Sequence, residues 1–196
     1  MALRNSATGW GWLARLLHWS MAVVILGLLV MGFYIAEILT DKDSDTVMLK
    51  FDLVQDHKSW GFVAFALACV RIIWRLVNRA PDLPDSMGRF ERLLAHMGHY
   101  GLYVCMFLMP VSGWLMASAS PYTNPDAYIR IKNKVFGLFE LPDPFEYGTE
   151  ELTAVFANIH AFAAIGLVVL LLGHVAAALK HHFVNRDTVL TRMLRG

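Results

Sequence analysis

Cysteine is nearly missing from this 196-residue chain: Cys69 and Cys105 are the only two, and both fall inside apolar blocks. They form no disulfide framework and no paired-cysteine metal motif. Proline is scarce and clustered. Pro81 and Pro84 separate two apolar blocks, Pro110 lies in a third, and Pro121, Pro125, Pro142 and Pro144 share one polar stretch. Net charge is small, since 17 basic and 16 acidic residues leave +1. No excess of one sign calls for a nucleic-acid partner. Internal repeats and low-complexity tracts are absent. A cleavable leader is not expected either. The apolar run behind Arg4 and Arg15 is too long, contains His18 and lacks a small-residue cleavage site after it, so it reads as a retained first helix.

What the chain does have is apolar sequence, 57% of residues, with positive mean hydropathy. It falls into four blocks, about 13–39, 57–76, 93–119 and 152–180. Each is close to the roughly 20 residues that cross a hydrocarbon core. Backbone groups in lipid must be paired within the segment, so the blocks are expected to be helices. The predicted fold is all-α, an integral membrane four-helix bundle forming one domain over residues 1–196. An even number of spans puts both termini on one side. That side would hold Arg4, Arg15, Arg71, Arg75, Arg79, Arg89, Arg92, Lys180, Arg186, Arg192 and Arg195, whereas 12 of the 16 acidic residues fall on the other. The positive-inside rule then makes both termini cytoplasmic. Trp10, Trp12 and Trp19 are expected at the cytoplasmic interface. The polar segment Thr40–Asp56 reads as an outer connection. Pro81 and Pro84 mark a short inner loop. Pro110, with Ser112 and Gly113, predicts a kink in the third helix. The long outer loop, about 118–151, contains an apolar stretch, Lys134–Leu141, suited to lie back on the membrane or the bundle. Thr149 or Thr153 could cap the fourth helix.

Four of the eight histidines carry the chemistry. His18 and His57 open the first and second blocks, and His160 and His174 lie near opposite ends of the fourth. With alternating helix direction, His18 and His174 share one face of the membrane, and His57 and His160 share the other. His160 and His174 are 14 positions apart, about 21 Å of rise and roughly −40° of rotation on an α-helix. They therefore look out from one side of one helix at two depths. Ionisable groups inside membranes are costly and mark function. Neutral imidazole ligates haem iron, and two histidines leave no open position, which favours electron transfer. The expected sites are therefore two bis-histidine haems. Covalent c-type attachment is excluded, because no Cys-x-x-Cys-His occurs.

Other residues compete or assist. His96 and His99 lie at inner depth in the third block, and either could replace His18 opposite His174. Arg71 follows His57 by 14 positions, so it shares that face at inner-haem depth; a haem propionate would satisfy its charge, with snorkelling to headgroups as the alternative. Gly27, Gly61, Gly166 and Gly173 would allow close approach of a porphyrin, as small residues allow it at any membrane helix interface.

These residues resemble the bacterial cytochrome b-561 family of four-helix, di-haem b membrane cytochromes. The resemblance covers nearly the whole chain. It rests on Leu17-His18-Trp19, His57 with Arg71, Ala95-His96-Met97-Gly98-His99, Met109-Pro110-Val111-Ser112-Gly113, His160, and the run Gly173-His174 to His181-His182. It implies that His18, His57, His160 and His174 are the iron ligands. It further implies exchange of electrons with ubiquinone in a bacterial inner membrane, with superoxide as a donor for some members. A small anion would need a positive approach on the outer face, for which Lys58, Arg130, Lys132 and Lys134 are the candidates. The quinone is expected at the cytoplasmic side, where His181 or His182 could donate hydrogen bonds and protons, histidine's ordinary pKa being about 6.5. The chain would then be an oxidoreductase, or purely an electron carrier, with the bilayer, a quinone and a small one-electron donor as partners. No essential protein partner is evident. The competing reading is a cytochrome b membrane-anchor subunit of a larger dehydrogenase or hydrogenase.

Overall fold

The computed structural model describes residues 2–39, 43–84, 86–128 and 130–196. Four long helices dominate: α1 (Trp12–Phe33), α2 (Ser44–Val77), α3 (Arg89–Ser118) and α4 (Glu150–Lys180). With their π-helical extensions Tyr34–Ile38 and His181–Asn185, all four are long and apolar enough to cross a membrane. The fold class is an all-α membrane helical bundle. Large aliphatic side chains such as Val23, Val30, Leu76 and Val169 are exposed on the spans, as expected where lipid is the solvent.

The helices end where the sequence supplies caps. Asp43 starts α2 by accepting from the Thr46 amide at 2.8 Å, with Asp45 in the first turn to complement the helix dipole. Thr149 starts α4 by accepting from the Leu152 amide at 3.1 Å, ahead of Glu150 and Glu151. Arg186, left-handed at φ 54°, closes the end of α4, and a short α5 (Val189–Arg195) follows. The expectation for Thr40–Asp56 needs correcting. From Ser44 onward this segment is helix, so α2 begins 13 residues before His57. Capping and local propensity sustain those turns without an apolar block. α3 runs through Pro110 as one helix, and α5 was not anticipated.

The chain divides into two compact units. The first comprises Met1–Ala22, Ala66–Cys105 and Ile165–Gly196, so each long helix contributes one part. Its ends are tied down by hydrogen bonds. Trp19 Nε1 donates to Met193 O at 3.1 Å, Arg192 to Asp82 O at 2.9 Å, and the Trp12 amide to Ala2 O at 3.0 Å. The second comprises Val23–Phe65 and Met106–Ala164 and includes the long loop. There a two-stranded antiparallel hairpin, β1 (Lys134–Val135) with β2 (Phe139–Glu140), pairs Lys134 with Glu140 and Val135 with Phe139. It lies back on α2, where the Phe136 amide donates to Ser59 Oγ at 2.9 Å and the Phe136 and Trp60 rings meet edge-on at 5.5 Å.

Candidate functional site

Each unit brings two histidines from different helices together. In the first, the His18 and His174 ring centres are 6.1 Å apart with the planes tilted at 50°. In the second, His57 and His160 are 6.4 Å apart at 75°. Two imidazoles bound through nitrogen on opposite sides of one metal have ring centres about 6.3 Å apart, given a metal–nitrogen bond of about 2.0 Å. Both pairs match that separation. His99 comes closer to His174, at 5.3 Å and 73°, which is too short for two imidazoles on opposite sides of one metal. The pairing of His174 with His18 is therefore the one that the spacing favours over His99.

Among the described residues, no group of three or more His, Cys, Asp or Glu could hold a metal ion. Two imidazoles alone make a weak site for a bare ion. They suit a metal that brings its remaining ligands with it, as haem does. Buried polar atoms without a partner also mark both units: Trp74 Nε1 in the first, His57 Nδ1 and Trp114 Nε1 in the second. Such orphans are uncommon in a finished protein interior, and a bound group with acceptor oxygens would satisfy the indole N–H groups.

The surroundings of the pairs differ. Ser112 Oγ lies 3.0 Å from His160 Nδ1 and donates its own proton to the Met109 carbonyl at 3.1 Å. With that proton spent, the hydroxyl oxygen accepts from His160 Nδ1–H, which leaves the Nε2 lone pair available. An acceptor on the far nitrogen orients a metal-binding histidine and raises its basicity. In the first unit, Arg71 Nη2 lies 3.0 Å from His18 Nδ1. A guanidinium only donates, so His18 Nδ1 is the acceptor here.

Glycine matters at two positions that the sequence reading did not single out for contact. A Cβ at Gly32 would stand 3.1 Å from His57 Cε1, and one at Gly113 would stand 3.2 Å from His160 Cε1. Both imidazoles of the second unit are thus backed against a glycine. A Cβ at Gly27, Gly61, Gly166 or Gly173 would meet nothing within 4 Å. A spacing signal existed: Gly32 follows His18 by 14, and Gly113 follows His99 by 14. The same interval separates His57 from Arg71 and His160 from His174.

The expected quinone histidines part company. His181 is buried, its Nδ1 2.5 Å from Asp187 Oδ2 and its Nε2 3.8 Å from Glu91 Oε1, with Asn185 Nδ2 also 3.2 Å from Nδ1. Glu91 in turn pairs with Lys180 at 2.5 Å. Burial of Asp187 opposes its charge, but the Val189 amide, His181 and Arg192 together hold its carboxyl below the usual carboxylate range. His181 is thus held in the closure of α4. His182 is half-buried against Phe183, ring centres 4.7 Å apart. His96 is exposed on α3.

The four cations expected to meet the donor are not equivalent either. Lys58 is half-buried and donates to Asn133 Oδ1 at 2.9 Å; Asn133 itself bonds Ser118 Oγ and Asp143. Lys132 pairs with Glu140 at 2.8 Å, and this hydrogen bond holds the Glu140 carboxyl low. Arg130 and Lys134 are exposed. Arg130 lines an open cleft of about 510 Å³ with Glu140, Asp143 and Glu146. That cleft carries more acid than base, which does not favour a small anion there.

Four apolar spans with paired imidazoles among them define a membrane cytochrome. The comparisons with known proteins give its family. The model of the family described as Prokaryotic cytochrome b561 matches residues 9–196, and the chain belongs to that family. It is 30% identical over 195 residues to cytochrome b561 homolog 2 of Escherichia coli (strain K12), covering 99% of this chain and 95% of the relative. Cytochrome b561 homolog 1 of the same organism is 27% identical over 154 residues, 78% of this chain and 79% of the relative. A probable superoxide oxidase, CybB, of Yersinia pestis is 29% identical over 147 residues, 70% of this chain and 72% of the relative. The protein is a haem b-binding, multi-pass electron-transfer protein of the bacterial inner membrane.

Proposed function

We propose that the chain binds two haems b, one held by His18 and His174 and one by His57 and His160, and passes electrons through them to a quinone. The observation that carries this reading is the ring separation of the two pairs, 6.1 and 6.4 Å. Bound haem b supplies a one-electron carrier whose potential follows its ligands and their hydrogen bonds. The chain's own residues do the rest. Ser112 and Met109 hold the His160 Nδ1 proton and aim Nε2 into the site. Gly32 and Gly113 let His57 and His160 sit close against their neighbouring helices. Arg71 would leave His18 Nδ1 for an acidic substituent of the group held by His18 and His174, freeing His18 to carry its proton on Nδ1 and ligate through Nε2. The basic asymmetry of the sequence supports cytoplasmic termini, with the His18–His174 pair and the quinone on that side and one domain over the whole chain. His182 is the better candidate for quinone contact, because His181 is committed to Asp187.

Superoxide is the proposed donor, supported by the relative named as a probable superoxide oxidase, with the four cations expected to meet it as the groups to test. Of the four cations, Arg130 and Lys134 are the better placed to meet solvent. Purified protein should contain two low-spin haems b per chain and reduce ubiquinone when supplied with superoxide. A single haem, or a high-spin ferric spectrum, overturns the ligand assignment. Unchanged superoxide kinetics in Lys58→Gln, Arg130→Gln, Lys132→Gln and Lys134→Gln overturns the donor. A stoichiometric iron–sulfur or molybdenum subunit in gentle detergent would instead make the chain a membrane anchor.

A further inference from the structure

The Lys134–Glu140 hairpin has a fixed base and a bare apolar tip. At the base, Val135 and Asn133 are buried, Lys58 bonds Asn133, and the Leu141 amide donates to Asn133 O at 2.8 Å. The turn is built from Phe136 and Gly137, both left-handed at φ 47° and 70°. An aromatic residue rarely adopts that conformation. Here the Ser59 hydroxyl and the Trp60 ring hold it. Beyond the turn, Leu138 is 81% exposed and Phe139 55%. Water is a poor environment for two adjacent large apolar side chains on a well-anchored turn.

The anchoring position says what covers them. Ser59 and Trp60 lie where the charged beginning of α2 gives way to an uncharged stretch, Gly61–Val70. Trp60 is itself exposed, and an exposed tryptophan at the end of a span marks the headgroup level. The tip therefore continues a surface that already faces lipid. Lys134, at the base, has the long stem and charged end that reach headgroups. We infer that the Phe136–Phe139 tip is a membrane-interface anchor, inserted among lipid headgroups and upper acyl chains, which fixes the long loop against the bilayer.

Hydroxyl-radical footprinting of the haem-loaded protein in nanodiscs of phosphatidylethanolamine and phosphatidylglycerol tests this without a variant. Normalised to intrinsic reactivity, Leu138 and Phe139 should be oxidised about tenfold more slowly than exposed Tyr128 and Tyr122 of the same loop, as lipid-covered side chains are. Nanodiscs doped with a diazirine-acyl phospholipid should yield lipid adducts on the hairpin peptide after irradiation. Oxidation of Leu138 at the rate of Tyr128 overturns the inference. So does protection without lipid adducts, which would mean that a protein covers the tip. Leu138→Asp should abolish the adducts and keep the haem spectrum. If that variant fails to fold, the native-chain footprint and adduct map still decide.

Discussion

The two histidine pairs have nearly the same ring separation, 6.1 and 6.4 Å, yet their Nδ1 atoms meet opposite chemistry. His160 Nδ1 lies 3.0 Å from the Ser112 hydroxyl, which can accept its proton and orient the ring. His18 Nδ1 accepts from Arg71, a cation that cannot accept in return, so the ring proton sits on Nε2 until Arg71 lets go. Pairing depth is set by helical periodicity, which serves both sites alike. Proton placement and local charge are set by the helix packed alongside, and there the sites diverge. One fold can therefore carry two similar imidazole pairs in different electrostatic surroundings. A cation beside a haem disfavours the more positive oxidised form, so the proposed His18–His174 haem should have its potential raised by Arg71.

Removing a ligand is the harshest way to test the comparison. His174→Ala and His160→Ala should each lower haem from two per chain to one, measured as pyridine haemochrome, and leave a low-spin spectrum from the other site. Loss of both haems in either variant would mean that the sites are not separately built. Arg71→Gln should come next. Spectro-electrochemistry should find one haem potential lowered by roughly 50–100 mV, the order expected for one charge removed nearby at an effective dielectric near 20, while the other stays put. An unmoved potential would show that Arg71 only bridges imidazole in the haem-free protein. Ser112→Ala should affect the other haem alone, loosening its retention by roughly tenfold, as loss of the hydrogen bond that orients a metal-binding histidine does. Competition with apomyoglobin reads that effect.

The smallest expected effect sharpens the contrast at the chain's end. The first unit carries the His181–Asp187 pair, and the second has no histidine–carboxylate pair among the described residues. Asp187→Asn should cost about 1 kcal/mol, the net value of one hydrogen bond, seen as roughly 2–4 °C in the melting temperature for a chain of this size. Because the Asp187 carboxyl is held below its ordinary value of 3.8, its contribution is present above that pH and is lost as the pH falls through the lower native value. The difference between wild type and variant should thus shrink as the pH is taken below 3.8.

Much of this was legible in the sequence. Hydropathy is a long-range average, so four blocks of apolar residues revealed four spans. The start of α2 was not legible by the same means, because Ser44–Asp56 mixes charged and apolar residues and so forms no apolar block, while the Asp43 cap sets where the helix begins. The histidine pairing followed from span direction, and the structure brings His18 to His174 and His57 to His160 within single units. What touches a side chain laterally did not follow. The Ser112 hydroxyl, the backing by Gly32 and Gly113, the Asp187 clamp on His181 and the Asn133 bond of Lys58 all depend on how neighbouring helices and loops are rotated. Spacing within one helix says nothing about that rotation. The 14-residue interval ending at Gly32 and Gly113 was the one trace of it.

The hydrogen bond from the Phe136 amide to Ser59 joins residues 77 positions apart. A ribosome adding about 5–20 residues per second makes Ser59 some 4–15 s before its partner exists. During that interval the Ser59 hydroxyl can donate to the Gln55 carbonyl one turn back, at 2.9 Å. α2 can therefore enter the translocon's lateral gate with its serine proton already satisfied. The oxygen's remaining lone pair waits for the loop, so the hairpin docks onto a helix made long before it, while Leu141–Ala164 of the second unit is still to be synthesised.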